Sequence, residues 1–217
     1  MNNKNILYTK QYFKYYCEKN KSFFDKINKL EEQKNILSSS YTSLERYKIV
    51  NDFLIDNNLL IWNLKILDFW CYIWLYIKYL NHIWIKWTYW IDYSEKSIQF
   101  WKKIWINNLF VWDITNLWKI FKIDSIDFIS CLHVFEYSYI EKNGDSFIYN
   151  ALVEGFRLLK KRGLLLFSIW EWYQKFDKEL NKYIHIDWKV NLDEKKIMKI
   201  WFLNLKKLWR GYYVLTK

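Results

Sequence analysis

The sequence predicts an α/β fold in which a Rossmann-like, mostly parallel sheet of about seven strands ends in an antiparallel hairpin. Three observations lead to this fold class. The apolar period is helical as far as residue 60. Beyond it, short strand-like runs alternate with amphipathic helical runs, which is typical of a parallel sheet covered by helices. Finally, the chain ends with two strand-like runs, FLNLKKL and YYVLTK, which are separated by only a short turn.

The first part of the chain, residues 1–60, is predicted to form an N-terminal helical cap. The run FFDKINKLEEQKNIL has helical spacing of its apolar residues, and the Ser/Thr cluster of SSSYTSLERYKIVNDFLI precedes a second run with the same period. Serine and threonine favour helix starts because their side-chain oxygens accept hydrogen bonds from the unpaired N–H groups there. Residues 61–217 are predicted to form the sheet-containing domain.

This second part is predicted to alternate strands and helices before its terminal hairpin. The predicted strands are KILDF, TYWID, LFVWDI, DFISCL and LLLFSI, and the predicted helices are LYIKYLNHI, SEKSIQFWKKI and DSFIYNALVEGFRLLKK. Such alternation predicts a parallel sheet with helices on both faces. Residues 171–193 are polar and aromatic without a clear period, so no element is predicted there.

Composition and charge limit the classes of function that the chain could have. The 217 residues carry a formal net charge of +11, which favours anionic partners, although the lysines are spread along the chain as an AT-rich gene would place them. Three cysteines lie far apart without CxxC spacing, which predicts neither a disulfide framework nor a metal site. The polar N-terminus does not resemble a signal peptide, and no apolar run reaches the roughly 18 residues of a membrane span. We therefore expect a soluble, cytoplasmic protein without a bound metal.

The chain is unusually rich in tryptophan and poor in glycine, with fifteen tryptophans and four glycines. Average domains contain about 7 % glycine and very little tryptophan. The exchange is also positional: Trp70 and Trp74 lie in a predicted strand-to-helix turn, Trp84 and Trp105 follow predicted helices, and Trp209 lies in the hairpin turn. We hypothesise that many of these positions are glycine in the cell, through a UGA codon that some bacterial lineages read as glycine.

The turn after the first predicted strand carries a family resemblance. In LDFWCYIW, an acidic residue ends a strand, and the turn that follows has tryptophan where a cofactor loop would have glycine. This segment and the motifs that follow it within residues 65–217 resemble the class I S-adenosylmethionine-dependent methyltransferases. The resemblance implies that the cofactor S-adenosylmethionine is contacted by Asp68, Trp70, Cys71, Tyr72 and Trp74. Of these, Tyr72 departs from the usual middle glycine.

A dinucleotide-binding loop is the rival interpretation of this turn. Such a loop follows the pattern GxGxxG, and its important acid lies at the end of the second strand. Here a carboxylate, Asp68, directly precedes the turn. This position favours the methyltransferase.

Two further strand ends extend the resemblance. WIDYS resembles the end of the family's second strand, which implies that Asp92 binds the ribose hydroxyls, with Tyr93 beside it among the cofactor contacts. A carboxylate suits this position because it can accept hydrogen bonds from two hydroxyls at once. VWDITNL resembles the third motif and implies that Asp113 accepts from the adenine amine while Ile114 lies beside the ring.

The later motifs concern the reacting centre and the fifth strand. DSIDFISCLHVFEY resembles the family's fourth strand and the loop after it, which implies that Leu132 contacts the cofactor and that His133 is the catalytic base or a substrate contact. LKKRG resembles the family's LKPGG turn. Lys160 and Gly163 match this turn, whereas a lysine replaces its proline and Arg162 replaces its first glycine.

The resemblance implies an S-adenosylmethionine-dependent methyltransferase that acts on a small-molecule acceptor, since the sequence has no appended RNA-binding domain and no NPPY-like motif. Three alternatives stay open. The first is a catalytically silent Rossmann-like binding domain whose tryptophans block the cofactor turn. The second is an RNA methyltransferase. The third is a protein that binds nucleic acid or anionic membranes through its lysines and tryptophans.

Overall fold

The structure is a computed structural model of the chain. It describes residues 10–22, 41–60, 63–69, 79–83, 85, 87–92, 94–103, 108–132, 134–135, 144–169, 172–177, 182–187, 195, 197, 199, 204–208 and 211–217. The chain forms two compact units, Met1–Asp113 and Ile114–Lys217. The division at residue 60 into a cap and a sheet-containing domain stays a prediction.

The helices and strands follow the predicted alternation. The helices with described bounds are α1 (Lys10–Lys19), α2 (Tyr41–Asp56), α3 (Glu95–Lys103) and α4 (Gly144–Leu158), with a short 3-10 helix at Leu117–Lys119. Residues 79–82 are the described part of a further helix after β1. The strands are β1 (Lys65–Asp68), β2 (Trp87–Asp92), β3 (Leu109–Val111), β4 (Ile126–Cys131), β5 (Leu159–Ser168), β6 (Trp172–Asp177), β7 (Lys182–Asp187), β8 (Asn204–Lys207) and β9 (Tyr212–Thr216).

The main sheet has seven strands in the order β3-β2-β1-β4-β5-β9-β8. The pairs β1–β2, β2–β3 and β4–β5 are parallel, whereas β9 pairs antiparallel with both β5 and β8. The terminal hairpin predicted from FLNLKKL and YYVLTK is therefore present. The predicted fold class, a mostly parallel Rossmann-like sheet that ends in an antiparallel hairpin, is confirmed.

In the first unit, α1 packs on the described end of the helix that follows β1. The ring centroids of Phe13 and Tyr79 lie 4.7 Å apart in an edge-to-face arrangement, and those of Tyr16 and His82 lie 4.9 Å apart. The hydroxyl of Tyr12 forms a hydrogen bond of 2.8 Å with Nε2 of His82. Each aromatic pair contributes about 0.5–1.5 kcal/mol beyond the area it buries. Aromatic contacts therefore fasten α1 to the helix after β1.

Helix α2 lies beside α1 in the same unit. An ion pair joins Lys10 Nζ to Asp56 Oδ1 over 2.7 Å, but both side chains are exposed, so it contributes little stability. The apolar side of α2 is firmly buried, because Val50 and Leu54, four residues apart on one face, are 1 % and 0 % exposed. Helix α2, which overlaps the second predicted run, is thus held mainly by apolar burial. The first predicted run, FFDKINKLEEQKNIL, lies outside the described residues.

The second unit contains strands that the sequence pattern did not predict. β6 and β7 form a separate two-stranded antiparallel sheet within the stretch in which no element was predicted. The available signal was the aromatic and β-branched content of KYIHID, the sequence of β7. Charged residues around each run diluted that signal.

The predicted LKPGG-like turn forms an irregularity near the start of β5. Between the register pairs Ile126↔Leu159 and Phe128↔Leu164, β4 advances by two residues while β5 advances by five. Arg162, within this bulge, has a φ of 67°. A side chain with a Cβ pays about 1–2 kcal/mol for that left-handed conformation. Arg162 therefore occupies a left-handed position that favours glycine, which is the residue that the LKPGG pattern has there.

Lys217 is fastened to the same bulge. The N–H of Arg162 donates to the carbonyl of Lys217 over 2.8 Å, and the N–H of Lys217 donates to the carbonyl of Gly163 over 3.1 Å. The Lys217 ammonium lies 2.6 Å from Oδ1 of Asp124 and 4.5 Å from the ring centroid of Phe156. Backbone and side-chain contacts together hold this residue at the start of β5.

We expect Gly163→Ala to lower the free energy of unfolding by about 1–3 kcal/mol, as overpacking of a tight site does. A Cβ at Gly163 would lie 2.8 Å from the carbonyl oxygen of Lys160 and 3.2 Å from that of Asp127, which are backbone atoms that cannot rotate away. Urea denaturation followed by circular dichroism measures the change. Arg162→Gly is the matched control and should not destabilise, since it relieves the left-handed φ. Equal losses in both variants would contradict this account of the turn.

We expect Cys17 to react with iodoacetamide at pH 8 about a thousandfold more slowly in the folded chain than in urea, because only the thiolate attacks. Burial, with a smaller contribution from Glu18, raises the pKa of the Cys17 thiol from 9.0 to about 12. The folded chain therefore retains this proton: its stability is unaffected below about pH 9 and falls as the pH rises toward 12. Peptide mapping by mass spectrometry isolates Cys17. Similar rates in both states would show that α1 leaves the thiol in water.

Candidate functional site

Two buried carboxylates lie at the carboxyl ends of adjacent parallel strands. Asp68 is the last residue of β1 and Asp92 the last of β2, and they are 2 % and 5 % exposed. Aspartate is rarely so buried, because removing a charge from water is costly unless hydrogen bonds replace the water. In open α/β sheets, ligands bind outside the carboxyl ends of the strands. These two side chains therefore mark the candidate site in the first unit.

The strand register arranges these carboxylates with Asp113 in a staggered row. Asp68 pairs with Trp90, so Asp92 stands two residues further along β2. Asp92 in turn pairs with Val111, and Asp113 follows Val111 by two residues. Neighbouring strands lie about 4.8 Å apart and two residues advance about 6.6 Å, so each acid is displaced sideways and forward from the one before. We call Asp68, Asp92 and Asp113 the carboxylate row.

The Asp92 carboxylate is oriented by the turn that follows it. The N–H of Ser94 donates to Oδ1 of Asp92 over 2.7 Å. Helix α3 begins directly afterwards, and the N–H of Ile98 donates to the carbonyl of Ser94 over 3.1 Å. Glu95 in the first turn and two lysines in the last turn complement the helix dipole. The start of α3 therefore fixes one oxygen of the carboxylate.

The residues predicted to bind adenine lie just beyond β3. The N–H of Trp112 donates to the carbonyl of Asp92 over 3.0 Å, which carries the β2–β3 pairing one residue past the strand. Asp113 is exposed, as a group that meets a ligand from solvent would be. Ile114 is 5 % exposed and is the first residue of the second unit. In that unit Leu132 directly follows β4 and is 3 % exposed.

Six of the predicted site residues lie outside the described part of the chain. They are Trp70, Cys71, Tyr72, Trp74, Tyr93 and His133. The cofactor turn after β1 and the catalytic histidine therefore stay predictions.

Trp90 occupies the same face of the sheet as the buried carboxylates. It is the register partner of Asp68, precedes Asp92 by two residues, and is 2 % exposed. Among the described non-glycine residues, positive φ occurs at Asn58, Asn108, Asp124 and Arg162, and not at Trp90, Trp112 or Trp118. Backbone conformation alone thus gives no reason for glycine at these three positions. The glycine hypothesis stays a prediction.

The sequence patterns overlooked one buried acid in the second unit. Glu154 of α4 is 9 % exposed, and its carboxylate accepts a hydrogen bond of 2.7 Å from the backbone N–H of Leu117. Arg157, three residues further along, pairs with the same carboxylate over 3.1 Å. The only local signal was a Glu and an Arg at helical spacing within an otherwise apolar run.

In the described ranges, no group of three or more His, Cys, Asp or Glu side chains has the arrangement of a metal site. Nor does any helix within those ranges combine the length and hydropathy that a bilayer crossing requires.

Comparisons with known proteins place the fold. No family model matches the chain, and no curated protein matches it. It is similar in structure to an S-adenosylmethionine-dependent methyltransferase from Clostridium acetobutylicum ATCC 824, at 15 % identity and a TM-score of 0.54, over 89 % of this chain and 97 % of that one. A second such enzyme, from Methanosarcina mazei, gives 14 % identity and a TM-score of 0.51 over 75 % and 94 %.

A protein from Pyrococcus horikoshii OT3 is also similar, at 15 % identity and a TM-score of 0.53, over 83 % of this chain and 92 % of that one. At these identities the likeness defines the fold. The chain has the fold of the class I S-adenosylmethionine-dependent methyltransferases, as the strand order and the terminal hairpin also indicate.

We expect Asp92→Ala to lower the free energy of unfolding by about 1 kcal/mol, because the Ser94 N–H at the start of α3 loses its acceptor. Asp92→Asn keeps an oxygen at this position and should lose about half as much or less. Urea denaturation of both variants measures the difference. Equal losses would mean that the hydrogen bond does not account for the effect.

Proposed function

We propose that this chain is an S-adenosylmethionine-dependent methyltransferase that acts in the cytoplasm on a small-molecule acceptor. The observation that carries the proposal is the carboxylate row at the ends of β1, β2 and β3, in a fold shared with enzymes of that activity. Two of its acids are buried on one face of the sheet. The three cysteines lie far apart in the sequence without CxxC spacing, which suits a reducing compartment.

The chemistry of Asp92 fits the ribose of the cofactor. An ionised carboxylate offers about four lone-pair sites, so it can accept from two neighbouring hydroxyls in addition to the Ser94 N–H. The Ser94 contact holds Asp92 in one orientation before a ligand arrives, which reduces the entropy lost on binding. Asp113, exposed beyond β3, is suited to accept from the adenine amine.

Bound S-adenosylmethionine supplies a methyl group that is already activated by its sulfonium. The chain's share of the catalysis is therefore to align the acceptor with the methyl group and to exclude water. A general base is required only for an acceptor that loses a proton during attack, and His133 is the residue we assign to that role. The absence of an NPPY-like motif from the sequence favours a small-molecule acceptor over RNA.

A silent binding domain is the competing function, and Trp90 is the observation that favours it. The Trp90 indole is buried on the face that carries Asp68 and Asp92. If tryptophan is the residue in the cell, it fills space next to both carboxylates. If glycine is, that space is open to a ligand. The codons at Trp70, Trp74 and Trp90 decide between the two, since UGG at these positions leaves no route to glycine.

We expect the variant with glycine at positions 70, 74 and 90 to bind S-adenosylmethionine more tightly than the chain as written, because three large side chains are removed: two from the predicted cofactor turn and one from the face that carries Asp68 and Asp92. Adding Asp92→Asn should then weaken binding at least about tenfold, since charge-assisted hydrogen bonds to the ribose are lost. Isothermal titration calorimetry measures both effects, and circular dichroism establishes that each variant is folded.

Glu95→Gln is the matched control for Asp92→Asn. It removes the same charge three residues away, from an exposed side chain on α3, and should leave the dissociation constant unchanged. Tight binding by the chain as written would remove the blocked-site alternative. Absence of binding by both forms would contradict the proposed function. Salt-sensitive binding of either form to RNA or anionic vesicles, without binding of S-adenosylmethionine, would favour the protein that binds nucleic acid or membranes through its lysines and tryptophans.

A further inference from the structure

Glu154 is a buried carboxylate with no part in the site described so far. It lies in the last turns of α4, in the second unit, and is 9 % exposed, whereas its neighbour Val153 is 47 % exposed. A buried charge is costly unless its environment supplies hydrogen bonds and an opposite charge. Glu154 has both, and they come from two different parts of the fold.

The opposite charge comes from the same helix. Nε of Arg157 donates to Oε1 of Glu154 over 3.1 Å, and Nη2 donates to Oε2 over 3.1 Å, so the pair is bidentate. Such a pair fixes the carboxylate in one plane. The remaining arm of the guanidinium, Nη1, donates to the carbonyl of Phe121 over 3.4 Å.

The backbone hydrogen bond comes from a segment far away in the sequence. Oε2 of Glu154 accepts from the N–H of Leu117 over 2.7 Å, across 37 residues. Leu117 starts the short 3-10 helix, and the N–H groups of Ile120 and Phe121 both donate to its carbonyl over 3.0 Å. Glu154 and Arg157 therefore hold the two ends of the segment from Leu117 to Phe121.

The end of α4 fastens the rest of this connection as well. The N–H of Asp124 donates to the carbonyl of Arg157 over 3.1 Å, and that of Ser125 donates to the carbonyl of Leu158 over 2.9 Å. The last turn of α4 thus forms hydrogen bonds to the chain all the way from Leu117 to the start of β4. We call the Glu154–Arg157 pair, together with its backbone partners Leu117 and Phe121, the α4 clasp.

We propose that Glu154 is a positioning residue for the adenine end of the cofactor. The α4 clasp fixes Leu117, and only two residues of the same unit separate it from Ile114. Ile114, which is assigned to the adenine ring, is buried at the start of this same unit. The proposal rests on the proposed function, but Glu154 itself contacts neither ligand nor substrate: it acts through the backbone of Leu117.

The test compares Glu154→Ala and Glu154→Gln with Val153→Ala, an exposed neighbour on the same helix. We expect hydrogen exchange in residues 114–121 to quicken about tenfold or more in Glu154→Ala, because the Leu117 N–H loses its acceptor. Calorimetry with S-adenosylmethionine and with adenosine should show losses of affinity that are similar for both ligands, about tenfold, since adenosine retains the whole adenine end. Glu154→Gln should be intermediate, because its amide oxygen can still accept from Leu117, while Val153→Ala should match the unaltered chain.

The outcomes separate this inference from the function on which it rests. If the unaltered chain binds S-adenosylmethionine and the Glu154 variants bind it equally well with only a lower melting temperature, Glu154 is structural and the inference is overturned. A loss for S-adenosylmethionine without a loss for adenosine also overturns it, because the effect then lies at the methionine end. If neither the unaltered chain nor the variant with glycine at positions 70, 74 and 90 binds either ligand, the proposed function fails, and the inference fails with it. If only the glycine variant binds, the Glu154 substitutions are compared in that variant.

Discussion

The parallel pairing of β1, β2 and β3 is the constraint on which the candidate site depends. The carboxyl ends of parallel strands lie at a common edge of the sheet. Carboxylates at or just beyond these strand ends therefore lie along that edge. Pairing of Asp68 with Trp90, and of Asp92 with Val111, sets how far each acid projects beyond the last. Buried acids are tolerable at this edge because backbone N–H groups of the following turns, such as that of Ser94, can face them.

Features that depend on neighbouring residues in the sequence could be predicted from the sequence alone. Asp68 and Asp92 follow apolar runs directly, and both prove to be the last residues of buried strands. Glu154 has no local cause: a single acid in a helical pattern suggests a solvated face, and its backbone partner Leu117 lies 37 residues away. Strands β6 and β7 were missed because charged residues interrupt both runs, and pairing between them stabilises what their composition alone does not.

A tryptophan in a strand and a large residue in a tight turn place different demands on the backbone. Within a strand such as β2 the backbone is extended, so Trp90 meets no steric objection and is simply buried. In tight turns, by contrast, a left-handed residue without a Cβ is favoured, and Arg162 shows that this chain can hold a large side chain there at some energetic cost. A large residue in a turn is therefore only weak support for the hypothesis that the position is glycine in the cell. A large residue that occupies the space of a ligand is stronger support.

The attachment of Lys217 gives the second unit a fixed point at its surface. Its carbonyl and N–H engage Arg162 and Gly163, and its ammonium engages Asp124 and the Phe156 ring. A fluorophore or tether joined at this residue would not hang from a loose tail. It would follow the bulge of β5 rigidly, so its depolarisation or its extension under force would report the motion of β5, an interior strand of the sheet.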